Sequence, residues 1–151
     1  MVEYCSPVWD PHTQTQIKQV EAIQNRAARF VTGNYKRRSS VTAMKTELEW
    51  ENLSDRRKTT RLTIFHQAIA GHLAIPVQKA LRPVKRSLRH TSPSANNFIP
   101  ITTNKDCFKF SFIPRTLVDW NNLPSNLTII PDKEHFKEAF KEHLKTSAAR
   151  K

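Results

Sequence analysis

Residues 13–33 read TQTQIKQVEAIQNRAARFVTG, and this stretch decides the fold class. Its apolar positions Ile17, Val20, Ile23, Ala27, Phe30 and Val31 step by three or four, the spacing of one face of a helix. Thr13, followed three positions later by Gln16, offers a capping-box start, and Asp10 with Pro11 offers an earlier one. Gly33 stands where a left-handed residue would end the helix. Arg26 and Arg29 lie on or beside the apolar stripe, toward the end of the helix where cations suit its dipole.

Working outward toward the C-terminus, a second, short helix is expected after Ser40, with Val41, Met44 and Leu48 on one side. Trp50 and Leu53 form an apolar hinge. A third helix runs from about Leu53 to Ala70, with Leu62, Phe65, Ile69 and Leu73 as its stripe and Gly71 at its end. A hydrophobic seam joining Ile17, Val20, Ile23 and Phe30 to Leu62, Phe65 and Ile69 follows from the shared spacing.

From about residue 76 to residue 104 the periodicity is lost among Pro, Ser, Asn, Thr, Lys and Arg, so this part is expected to be a basic, flexible connector. Phe108, Phe110 and Phe112 alternate with polar residues like a strand. A Pro114-led helix carrying Trp120 closes before Pro124, and a last helix starting at Asp132 places Phe136, Phe140 and Leu144 at four-residue steps. The expected fold is mainly α: a small bundle with three N-terminal helices in residues 1–75, a connector over 76–104, and a short strand-plus-helix unit over 105–151 that packs back on them. Only two glycines occur among 151 residues, which disfavours the tight turns of β-hairpins.

Working outward in the other direction, EYCSPVWDP at residues 3–11 is apolar and aromatic. A segment of that kind normally packs against other chain, and it is expected to lean on sequence preceding this one.

The formal charge is +12. Residues 1–35 hold three bases and three acids, residues 36–90 hold thirteen and four, and residues 91–151 hold nine and six. A positive charge concentrated in the middle of a chain points to a polyanion. Three groups carry it: Lys36, Arg37 and Arg38; Arg56, Arg57, Lys58 and Arg61; and Arg82, Lys85, Arg86 and Arg89. With Arg26 and Arg29 they are the candidate nucleic-acid contacts. Arg37, Arg38, Arg57 and Arg61 are the foremost, because guanidinium forks suit phosphate. The aromatic residues Phe108, Phe110, Phe112 and Trp120 are assigned to the core.

Catalytic chemistry finds little support. The chain has no adjacent Asp-Asp pair, no phosphate-loop motif, no H-E-x-x-H and no G-x-S-x-G. Its six histidines stand singly, and Cys5 and Cys107 form no zinc spacing. No catalytic residue, metal or cofactor is assigned. Two thiols in a basic, helix-rich chain read as reduced and intracellular, in nucleus or cytoplasm. A run of about 18 apolar residues is absent, as is a signal-peptide pattern, so no membrane partner is expected.

Four stretches in order carry a resemblance: EYCSPVWDP at 3–11, QNRAARFVTG at 24–33 with SSVTA at 39–43, LEWENLSDRR at 48–57, and FKFSFIPRTLVDWNNLP at 108–124. Together they resemble the carboxy-terminal region of the polyprotein of non-LTR (LINE-type) retrotransposons of the jockey and chicken-repeat group. The resemblance covers nearly the whole chain. It implies the thumb, and the segment after it, of a reverse transcriptase whose palm and catalytic carboxylates lie upstream. No family catalytic residue falls on these stretches, and the Cys/His knuckle of other LINE groups is missing. The expected function is therefore non-catalytic binding of the RNA or DNA backbone beside the polymerase. The alternative is an orphaned structural remnant whose apolar N-terminal segment is a docking surface for the palm.

Overall fold

The computed structural model describes residues 3–74, 77–83 and 97–149. The fold is mainly helical: α1 (Ser6–Trp9), α2 (Gln14–Thr32), α3 (Val41–Glu47), α4 (Leu53–Ile69), α5 (Val77–Ala80), α6 (Asp106–Lys109), α7 (Phe112–Asn121), α8 (Ser125–Thr128) and α9 (Lys133–Ala149). The described residues divide into two compact units, one up to Lys58 and one from Thr59 onward, so the division falls within α4. The expected boundary near residue 75 is displaced because the second half of α4 shares its core with the C-terminal helices.

In the first unit, local signals set the helix ends. The later of the two starts is used for α2, where the Thr13 hydroxyl accepts a hydrogen bond from the Gln16 N–H at 3.4 Å. Gly33 ends the helix in the left-handed conformation, at φ 62°, and the Asn34 N–H donates back to the Arg29 carbonyl at 3.2 Å. Ser40 caps α3 through the Ala43 N–H at 3.3 Å.

Tertiary contacts then choose which face of α2 is covered. The Gln24 amide donates to the Glu51 carbonyl at 2.9 Å, and Glu21 accepts from the Ser54 N–H, also at 2.9 Å, capping the start of α4 from a distance. Lys45 lies 3.9 Å from the second Glu21 oxygen and donates to Asn52 at 2.8 Å. These bonds turn Gln24 and Ala28 inward. Gln24 is one position past Ile23, about 100° around the helix axis, so Ile23, Phe30 and Val31 are left exposed. The expected seam is thus corrected. Leu62, Phe65 and Ile69 pack with the second unit's core, and Ile23 and Phe30 do not take part.

That core is built from Leu62, Phe65 and Ala68 of α4, Val77 and Leu81, Leu117 and Trp120 of α7, Leu123 and Leu127, and Phe136 and Phe140 of α9. Trp120 meets Phe65 edge to face at 5.5 Å, and the His66 ring stacks on Phe136 at 4.6 Å. The His66 Nε2 donates to the Ile130 carbonyl at 2.7 Å, so the ring is held at both its face and its edge.

Two further expectations give way here. Residues 106–109 and 112–121 form two helices rather than a strand followed by a helix. The Phe108/Phe110/Phe112 alternation is coincidental, and Phe108 is exposed. Both ends of the supposed connector are packed: Val77 and Leu81 are buried, and Phe98 and Ile101 lie against the core. Pro83 and Phe98 form an antiparallel bridge, and the Ile99 N–H donates to the Arg82 carbonyl at 2.8 Å. The Asn121 side chain grips the Phe98 backbone twice, accepting at 3.0 Å and donating at 2.7 Å. Residues 84–96 lie outside the described residues.

Candidate nucleic-acid interface

Of the thirteen candidate basic residues, the ten that are described differ in exposure and pairing. Arg57 and Arg61 share a face of α4, and that face is internal: they are 1% and 2% exposed. The Arg57 Nε donates to the Asp10 carboxylate at 2.9 Å, and its guanidinium lies over the Trp9 ring at 5.9 Å. Arg61 is paired with Asp119. The assignment of Arg57 and Arg61 as foremost phosphate contacts is therefore corrected. A buried guanidinium matched to a carboxylate has no open direction from which to meet a polyanion. Arg56 is paired with Glu3, and Lys58 is half-buried. Arg82 is exposed beside the Pro83–Phe98 bridge. Lys85, Arg86 and Arg89 lie outside the described residues.

One group is left open. Arg26 is exposed on α2, and Lys36, Arg37 and Arg38 are exposed in the turn that follows it. The turn is built, not loose. The Asn34 side-chain oxygen accepts from the Lys36 N–H at 3.3 Å and from the Ser39 hydroxyl at 2.9 Å. Arg29 is half-buried and donates to the Lys36 carbonyl at 3.2 Å, tying the turn to the helix. Among the described residues no carboxylate pairs with Arg26, Lys36, Arg37 or Arg38. Three of the first unit's acids are drawn elsewhere: Glu3 to Arg56, Asp10 to Arg57 and Glu21 to Lys45.

Sequence reasoning missed the aromatic part of this surface. Phe30 is 76% exposed and Tyr35 is 66% exposed, each within a few positions of the open cations. The available signal was Tyr35 itself, placed between the Gly33–Asn34 helix stop and the Lys36–Arg38 run, where a purely solvated turn has no need of an aromatic ring. Next to the exposed face of α2 lies a groove of about 350 Å³, lined by Tyr4, Ile23, Gln24, Ala27, Trp50 and Leu53 with the Glu3–Arg56 pair at its edge.

Among the described residues no group of three or more His, Cys, Asp or Glu could hold a metal ion, and no helix is long and apolar enough to cross a membrane. Comparison with protein-family models, curated proteins and solved structures yields no match for this chain.

Proposed function

We propose that this chain is a non-catalytic nucleic-acid-binding segment that holds an RNA or DNA backbone on the C-terminal end of α2 and the turn after it. One observation carries this reading: Lys36, Arg37 and Arg38 are exposed on a braced turn that follows α2, Arg26 is exposed on that helix, and no carboxylate among the described residues pairs with any of the four. Cations held in place beforehand release counterions from a phosphate backbone without first breaking an internal pair. The overall charge of +12 supplies attraction at longer range. The ordered resemblance to the post-palm region of LINE-type polyproteins is consistent with such a role beside a polymerase. On that basis the chain acts as thumb and following segment and carries no polymerase carboxylates of its own.

The test is fluorescence anisotropy of labelled RNA and DNA across a salt series, for the parent and for a variant combining Arg26→Glu, Lys36→Glu, Arg37→Glu and Arg38→Glu. With about four phosphates neutralised, log affinity for a single strand should fall with log salt at a slope near −3 (about −0.7 per contact). The variant should lose most of both affinity and slope. A variant that binds as tightly as the parent removes this surface from the reading.

A second reading is favoured by the exposure of Tyr4, Val8 and Trp9 around α1. On this reading the segment is a docking face for the polymerase palm of the same polyprotein. A palm fragment supplied in trans should then slow amide exchange at residues 4–9, and the charge-reversed variant should respond equally.

A further inference from the structure

We infer that the ligand of this surface is an unpaired strand, whose bases stack on Phe30 and Tyr35 and enter the groove between Tyr4, Ile23 and Trp50. The inference rests on the proposed nucleic-acid reading and sharpens it from backbone binding in general to single strands.

The geometry supplies three things in series. Ile23, Ala27 and Phe30 stand at i, i+4 and i+7 on the face of α2 that the rest of the first unit leaves uncovered. From Ile23 to Phe30 is roughly 10 Å along the axis at about 1.5 Å per residue, close to three steps of a stacked strand at about 3.4 Å each. The groove occupies the Ile23 end, with two aromatic residues, Tyr4 and Trp50, in its wall. Phe30 and Tyr35 are both exposed and precede Lys36, Arg37 and Arg38 in sequence. Arg26 lies between Ile23 and Phe30 in sequence and is exposed beside them.

Charge and ring chemistry select the occupant. Among the described residues the only carboxylate lining the groove is Glu3, and Arg56 is paired with it. The exposed cations of α2 and the turn after it, Arg26, Lys36, Arg37 and Arg38, suit a polyanion. Exposed planar rings between guanidinium and ammonium groups are what a splayed base can use, because every base has a π-face. A duplex keeps those faces within its own stack and can offer only its backbone. An acidic amphipathic helix would match the charge, but the rings at both ends of the α2 face favour planar groups over aliphatic side chains.

The experiment compares three probes on the full chain at one salt concentration: a short oligouridine, an abasic strand of the same length and charge, and the matching RNA duplex. Stacking contributes about 1–3 kcal/mol per base, so the base-bearing strand should bind about tenfold or more tightly than the abasic one. The exposed pair Phe30→Ala with Tyr35→Ala should remove that advantage, leaving abasic-strand affinity and the unfolding midpoint as in the parent. Equal affinity for base-bearing and abasic strands, or tighter binding of the duplex, overturns the inference and leaves the backbone reading standing. If the face binds an acidic amphipathic peptide and ignores the oligouridine, a protein partner takes its place. Failure of all three nucleic-acid probes removes both readings.

Discussion

A guanidinium serves an external phosphate or an internal carboxylate equally well, and sequence spacing does not distinguish the two. Arg57 illustrates this. Its partner Asp10 is 47 positions away, and Arg61 and Asp119 are 58 apart. No window along the chain contains either pair. Removing one member leaves a buried charge without its counterpart, which typically costs about 3–5 kcal/mol. Asp10→Ala should therefore lower stability in urea unfolding by about that amount. Replacing both partners with apolar residues, Asp10→Leu with Arg57→Met, should recover most of the loss, since apolar replacement of a buried pair is often neutral or better. The same double variant should bind RNA as the parent does. Weakened RNA binding in a fully folded double variant would return Arg57 to the surface that grips phosphate.

Among the elements, helix ends were legible, while helix faces were legible only in part. Thr13, Gly33 and Ser40 act on backbone groups within a few positions, so their chemistry can be read locally; α2 begins and ends, and α3 begins, where it dictates. The covered face of α2 is chosen by Glu51 and Ser54, 27 and 33 positions from their partners Gln24 and Glu21. Two polar side chains with distant backbone partners outweigh an apolar stripe. In α9 the stripe and the contacts agree, and Phe136 and Phe140 are buried as their spacing suggests. The contrast can be measured by urea unfolding. Phe30→Ala should change stability by no more than about 0.5 kcal/mol, the usual range for a surface site. Phe65→Ala, with its fully buried ring in contact with Trp120, should cost about 3–5 kcal/mol. Comparable losses from the two would restore the seam that the sequence suggested. The same distinction explains why the candidate surface was half legible. Its cations were apparent as a run, whereas the exposure of Phe30 depended on the rotation of α2.

At the scale of the whole molecule, the two units differ in how much they bury. Among the described residues the clustered core lies entirely from Leu62 onward, while the buried apolar residues of the first unit are Pro11, Ala28, Met44 and Leu53. Thin burial means a small free energy for local opening. Amides of α2 should accordingly exchange faster than those around Trp120 in α7 or Phe136 in α9. A ligand held by the closed form of α2 and its turn adds RT ln(1 + [L]/Kd) to the cost of opening them, about 2.7 kcal/mol at a hundredfold excess over Kd. Saturating oligouridine should thus slow exchange in the C-terminal half of α2 and in residues 33–39 by up to about a hundredfold, with α7 and α9 unchanged. The first unit contains both the weakest packing and the open cations, so binding there orders the part of the protein that folding alone stabilises least. Protection spread evenly over both units, or confined to α9, would place the polyanion on another surface.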